Sequence, residues 1–343
     1  MASNKTTILD IAHALGMSRN TVSKALKGGD GVSDKTIELI INKAREMGYK
    51  GHMEPLPPSS PIPAKGSIVF LTGNFSAHAL FWPAVVKGVE GTVSQSGFQF
   101  TIKLVREEEL ANGSFPSHLN REDVVGIICT ELYDRRYIDQ LTATGIPLVM
   151  IDSVFDVFNE ALPYDLLLME NQHSIHRLVS LLLEKGHERI GFAGKPDHCR
   201  SFYERYMGFK LAFFTSGELP PTAYSILPET DNYAVERLMG KLQEMPEFPT
   251  ALVCANDHIA LNVIKAARNL GLRVPEDLSV TGFDDISLAT LVEPNLTTVN
   301  IHRVSLGKRA AELLLWRISH PDRPYETTYL ENTIQLRNSI HGR

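Results

Sequence analysis

The segment from Thr6 to Lys50, TTILDIAHALGMSRNTVSKALKGGDGVSDKTIELIINKAREMGYK, constrains this chain more than any other. Its apolar residues recur at helical spacing in three short blocks. Ile8, Ile11, Ala12 and Leu15 form one face of a first helix, for which Thr7 is the capping hydroxyl. Gly16 supplies the left-handed residue that a sharp helix end needs, and Met17 plugs the angle that follows. Ser18 caps a second helix, whose Val22, Ala25 and Leu26 turn inward. Ser33 caps a third, with Ile37, Ile40, Ile41 and Ala44 completing a small core and Gly48 ending it. Ala12 is small where the second helix crosses the first. Arg19, Asn20 and Lys24 are left facing outward at the start of the second helix, with Thr21 and Ser23 beside them. Arg, Asn and Lys are suited to base edges, and hydroxyls to phosphates or thymine edges, when such a helix lies in a major groove. The alternative is a three-helix protein-docking module with a solvated charged face.

The charge distribution agrees with a nucleic-acid partner for this segment alone. Residues 1–50 carry eight Lys/Arg and five Asp/Glu, a net +3, whereas the whole chain carries −6. A basic head thus precedes an acidic body. At 343 residues the chain needs more than one core. No apolar run reaches the length of a membrane span, and MASNKTTILD lacks a signal-peptide pattern, so a cytoplasmic protein is expected. Cys129, Cys199 and Cys254 are widely spaced, which fits a reducing compartment.

Residues 51–66, GHMEPLPPSSPIPAKG, hold five prolines and read as an extended linker. Beyond it, apolar runs at 67–73, 98–105, 124–130, 147–152, 189–194, 251–256 and 278–283 alternate with amphipathic helical stretches. That alternation predicts parallel sheets covered on both faces, and its extent predicts two α/β lobes. Catalytic signatures are missing: no G-x-S-x-G elbow, phosphate loop or G-x-G-x-x-G after a strand. His173 and His176 are three apart on a helix without a carboxylate or Cys to complete a metal set. His187 reads as a helix-end residue, and Glu107–Glu108–Glu109 as a solvated helix start. No cofactor, metal or catalytic residue is expected. An enzyme on this α/β scaffold remains the reading with least support.

The stretch TILDIAHALGMSRNTVSKALKG, continued by VSDKTIELIINKAREMGY, resembles the head of lactose-repressor (LacI/GalR) type regulators. The blocks LLEKGHERIGFAG, SFYERYMGF, LVCANDHIAL, DLSVTGFDD and EPNLTTVNI match the same family in order. The resemblance implies a multi-domain chain: an all-α helix-turn-helix head at 1–50, the linker, and a two-lobed body at 67–343 resembling periplasmic binding proteins. The lobes are expected at 67–163 plus 296–323 and at 164–295 plus 324–343. By resemblance Arg19, Asn20 and Lys24 read bases, and Thr7, Ser18, Thr21 and Ser33 contact or organise the operator backbone, with Ser23 among the DNA-facing residues. Phe81, Trp82, Asp152, Ser201, Arg205, Asn256 and Asp284 fall at strand-to-helix loops and are implied to touch a small effector in the cleft between the lobes. Asn232 stands near where some relatives place a stacking aromatic.

The implied protein is a ligand-responsive repressor of carbohydrate-use genes that binds a pseudo-palindromic operator as a dimer. A sugar-binding sensor with a docking head is the alternative. Two departures matter. Many relatives carry a hinge helix with a minor-groove Leu, but here Leu56 sits between Pro55 and Pro57, where a helix interior is excluded. No heptad run follows QLRNSI, so a dimer without a tetramerising tail is expected.

Overall fold

The computed structural model of the chain describes residues 6–26, 32, 34–49, 66–73, 81–117, 119–155 and 162–343. It divides into two compact units, Met1–Ala64 and Lys65–Arg343. Ser33 and residues 51–65 of the proline-rich linker lie outside the described residues.

The first unit holds α1 (Ile8–Leu15), α2 (Arg19–Leu26) and α3 (Asp34–Glu46). Thr7 caps α1 in a reciprocal box: the Asp10 backbone N–H donates to Thr7 Oγ1 at 3.4 Å, and the Thr7 N–H donates to Asp10 Oδ2 at 2.8 Å. Gly16 ends α1 with φ of 63°, which releases the chain into the turn. Ser18 Oγ accepts from the Thr21 N–H at 3.1 Å and starts α2. Ile11, Val22, Leu26, Ile40 and Ile41 are almost fully buried at the centre, with Ala12, Ala25 and Ala44 at the close crossings. Each aliphatic side chain buried to this degree contributes roughly 1.5–3 kcal/mol, which lets a head this small hold its shape.

The second unit contains β1 (Ser67–Thr72), α4 (Trp82–Val93), β2 (Gln99–Leu104), α5 (Glu107–Asn112), β3 (Val124–Thr130), α6 (Arg135–Thr142), β4 (Leu148–Ile151) and β5 (Asp165–Met169). They are followed by α7 (Gln172–Glu184), β6 (Ile190–Ala193), α8 (Arg200–Ser216), α9 (Val235–Gln243), β7 (Ala251–Cys254), α10 (Asp257–Asn269) and β8 (Ser279–Thr281). The last elements are β9 (Thr298–Asn300), α11 (Arg303–Ser319), β10 (Thr327–Leu330) and β11 (Thr333–Gln335). A six-stranded parallel sheet, ordered β10-β5-β4-β3-β1-β2, forms the first lobe. A three-stranded parallel sheet, β6-β7-β8, forms the second, and β9 pairs antiparallel with β11. The central strands are apolar along their whole length, as sheets covered on both faces require.

The lobe boundaries differ from those expected. Asp165–Met169 and Thr327–Leu330 pair with each other inside the first sheet, although 164–295 and 324–343 were assigned to the second lobe. The run DLLLM is too short for its period to separate strand from helix, and only its parallel pairing to β4 fixes its place. Glu109 is a second difference: it is buried, not solvated. Its carboxylate accepts from the backbone N–H groups of Arg106 and Ser117 and from Ser117 Oγ. Burial pushes this carboxyl up, but those hydrogen bonds outweigh it and bring the pKa down to about 2.

The chain crosses between the lobes three times, at 170–171, 301–302 and 331–332. Two crossings are laced together: Glu170 N–H donates to Leu330 O at 2.8 Å, and Asn332 Nδ2 to Glu170 O at 2.6 Å.

Candidate functional site

On the head, Thr7, Ser18, Arg19, Asn20 and Lys24 are exposed, while Thr21 and Ser23 are half-buried. Ser18 Oγ and Thr21 Oγ1 lie 2.8 Å apart, so these two hydroxyls also fix the first turn of α2. Arg19, Asn20 and Lys24 thus stand on the solvent side of a helix whose opposite side is anchored by Val22, Ala25 and Leu26. A rigid helix with a free cationic and amide edge can enter a groove.

In the body, all seven residues singled out from the sequence line one cavity between the lobes: Phe81, Trp82, Asp152, Ser201, Arg205, Asn256 and Asp284. The topology explains the convergence, because ligands of open α/β sheets gather at the carboxyl ends of strands. Asp152 follows β4, Asn256 follows β7 and Asp284 follows β8. Phe81 and Trp82 sit at the start of α4, their rings edge-on with centroids 4.8 Å apart. Ser201 and Arg205 occupy the first turns of α8, on its buried face.

Arg205 is 3% exposed, so its charge needs partners. Its Nε donates to Asn171 Oδ1 at 2.9 Å and its Nη1 to Ala255 O at 2.7 Å. Asp284 Oδ1 lies 3.7 Å from Nη1, and the guanidinium carbon sits 3.7 Å from the Phe283 ring centre. Asn171, wholly buried at the first crossing, is the hub of this arrangement. Its Nδ2 donates to Met169 O, Ser201 Oγ and Glu204 Oε2. Asp152 reaches from the first lobe to the second: its Oδ1 accepts from the N–H groups of Ser153 at 2.8 Å and Ser201 at 3.1 Å. Asn256 caps α10 through Oδ1, which accepts from the Ile259 N–H at 2.9 Å.

The cavity also takes in Glu131, Tyr133, Met169, His198, Cys199 and Phe202, which sequence reasoning missed. Glu131 and Tyr133 follow β3, so the strand-end rule that found Asp152 could have found them. His198, Cys199 and Phe202 flank Ser201 at the start of α8. Met169 ends β5, the strand that the apolar pattern did not reveal.

Three carboxyl groups face this space, and they repel one another. Glu131 keeps partial exposure, yet the cleft walls strip its water and Asp152 adds like charge, raising its pKa to about 8. Burial raises Asp284 to about 6, against the pull of Arg205 and Arg303. Behind them Asp257, fully buried, accepts from the Ile286 N–H at 2.9 Å and from Thr298 Oγ1 at 2.5 Å. Its pKa is raised well above the ordinary value by burial and then by the Asp284 charge. Glu131, Asp152, Asp284 and Asp285 all have positive φ, between 51° and 115°. Non-glycine residues persist there only when their surroundings hold them. Asp285 is held by Arg337 at 2.6 Å and Asn300 at 2.7 Å.

Other sequence candidates have structural surroundings. His187 bonds Thr250 Oγ1 and His341 O in the second lobe. His176 bonds Thr215 Oγ1, and among the described residues no group of three His, Cys, Asp or Glu could hold a metal ion. None of the described helices is long and apolar enough to cross a membrane.

Residues 7–51 match the family model for bacterial regulatory proteins of the lacI family, and residues 179–340 match that for a periplasmic binding protein-like domain. The chain is 28% identical to the HTH-type transcriptional repressor CytR of Escherichia coli K12 over 312 residues, covering 90% of this chain and 89% of that one. It is likewise 28% identical to the ribose operon repressor of Haemophilus influenzae over 342 residues, covering 98% and 99%. Among solved structures, the regulator CelR in complex with cellobiose superposes with a TM-score of 0.70 at 24% identity, covering 98% of this chain and all of that one. The lac repressor dimer bound to operator and the anti-inducer ONPF gives 0.67 at 22%, covering 98% and 99%. The chain thus carries a lacI-type head at one end and a periplasmic-binding-protein-like body behind it, an order that its relatives share over nearly their whole length.

Proposed function

We propose that the protein is a sequence-specific transcriptional repressor whose operator binding is set by a small carbohydrate in the cleft of its body. The observation that carries this reading is the pairing of two features in one chain. A lacI-type head presents Arg19, Asn20 and Lys24 outward, and a separate inter-lobe cavity gathers Phe81, Trp82, Asp152, Arg205 and Asp284. Relatives spanning nearly the whole length are repressors, one of them of a ribose operon. Work on DNA places the protein in the cytoplasm. It acts as a dimer, because two heads reading two half-sites match a palindromic operator.

Aromatic edges at Phe81 and Trp82 and charged groups at Arg205, Asp152 and Asp284 suit a polyol, whose C–H faces stack and whose hydroxyls bond in both directions. The ligand acts by binding one lobe arrangement better than another, and the coupling equals that difference. Arg205→Ala tests the reading. Operator affinity without ligand should stay within about threefold, while the ligand's effect on operator binding disappears, measured by fluorescence anisotropy on a labelled operator. An unchanged ligand response in that variant contradicts the assignment of the cleft.

A further inference from the structure

The cavity that gathers the seven residues is small, about 50 Å³. Such a space holds a few water molecules or one edge of a ring, not a whole ligand. It adjoins a second chamber of about 600 Å³, which falls within the 300–1,000 Å³ or so of pockets that enclose complete small molecules. Glu131, His198, Phe202 and Asn256 line both, so the two chambers lie side by side. The rest of the larger wall includes Asp231, Asn232, Tyr233, His258 and Asn262. It is polar on several sides: a carboxylate, two amides, an imidazole and a phenol.

Two buried donors in these walls make no hydrogen bond of ordinary geometry. One is Trp82 Nε1 in the small chamber, where the residue is 6% exposed and close enough to Glu131 to favour that group's charged form. The other is the hydroxyl of Tyr233 in the large one. Glu131 stands beside the first and the Lys195 backbone beside the second, so each donor keeps capacity that a ligand atom can take up. A chamber of about 600 Å³ beside the small one accommodates more than a single ring.

Charge narrows the class. Arg205 is the single Lys or Arg among the residues lining either chamber, and Asn171, Ala255 O and Asp284 already engage it. His198 is paired with Asp231 at 2.9 Å. Glu131, Asp152 and Asp284 face the same space. A sugar acid or sugar phosphate would meet carboxylates with no spare cation.

We propose that the effector is a neutral saccharide of at least two rings. One ring edge enters the small chamber, and the remaining bulk lies in the large one, where Tyr233, with Asn232 and Asn262, selects it. The inference rests on the reading of the cleft as the effector site. It assigns specificity to a wall outside the seven residues that the sequence points to. A planar nucleobase is disfavoured because it needs two apolar faces, and this wall offers hydrogen bonds instead.

The test uses the full-length chain and differential scanning fluorimetry followed by calorimetry. The probes are cellobiose, maltose, lactose and sucrose, compared with glucose, ribose, glucuronate, glucose 6-phosphate and adenosine. At least one disaccharide should raise Tm and bind at least about tenfold more tightly than either monosaccharide it contains. Tyr233→Phe should cut that advantage about fivefold or more, with the unliganded Tm equal or higher, because the change deletes an unpaired buried hydroxyl. The proposal is overturned if no disaccharide raises Tm, if a monosaccharide, sugar anion or adenosine binds more tightly, or if Tyr233→Phe leaves the ratio unchanged. Duplex binding by the same preparations separates the two readings. Retained operator binding without a disaccharide shift removes this inference alone, whereas absence of duplex binding removes the regulator reading.

Discussion

Glu131 shows how a single position can couple charge, backbone and ligand space. It stands at the end of β3 with φ of 54°, shares the cavity with Asp152 and Asp284, and has a pKa raised to about 8. A carboxyl raised in the fold contributes stability that is full below its unfolded value, 4.5 here, and is lost as pH rises towards about 8. Asp284, raised to about 6, acts with the same sign over a narrower window from 3.8. Glu131→Gln should therefore flatten the decline in stability between pH 4.5 and 8. Urea denaturation at pH 5 and pH 8.5 would read this, and an identical decline in variant and parent would refute it. Residues of this kind were only partly legible in the sequence. Asp152, Asn256 and Asp284 could be picked out because they close obvious apolar strands. Glu131 follows the same rule but reads as an unremarkable ELY continuation, and the hub role of Asn171 depends on partners 30 to 34 positions away.

Among the elements, the crossing of α4 and α11 sets the first lobe. Gly88 and Gly307 meet there, and a Cβ at either would run into backbone of the other helix, at Val304 O and Val85 O respectively. Neither helix can withdraw, because Val85 and Val89 are fully buried on one and Leu306 and Ala310 on the other. Overpacking such a contact costs about 1–3 kcal/mol, and backbone collisions lie at the upper end. Gly307→Ala should lower the unfolding free energy measured in urea by that amount, whereas the same change at Gly91, which has open space around its Cβ position, should have little effect. Equal stability of the two variants would contradict this packing. The elements of the head were the most legible, since Thr7, Gly16 and Ser18 punctuate helices whose apolar periods agree. β5 and β10 were not, because a four- or five-residue run has no resolvable period, and their place comes from pairing across 160 residues of chain. Glu109 was misread for a related reason: three consecutive Glu look solvated until the Ser117 loop folds over one of them.

Across the whole molecule, the cleft and the crossings are one hydrogen-bonded system. Arg205 bonds Asn171 at the first crossing, and Asp285, beside Asp284, bonds Asn300 just before the second. A ligand that engages Arg205 and Asp284 thus bears on residues at the points about which the lobes would turn, a physical route by which effector occupancy biases lobe orientation. The linker bears on the output. Five prolines between His52 and Gly66, with Leu56 flanked by two of them, oppose a minor-groove helix, so the bound operator should be bent little. A circular-permutation gel showing a strong central kink would contradict this.

The central claim is that the head reads a specific duplex. It is tested most directly by the salt dependence of full-length protein binding to an operator recovered by in vitro selection, compared with a scrambled duplex of equal length. The account predicts a steep negative slope of log K against log salt on both, as phosphate contacts release counterions. It also predicts at least about 10³-fold tighter binding to the selected site, an advantage that Asn20→Ala diminishes. Equal affinity for the two duplexes, or binding insensitive to salt, would contradict it.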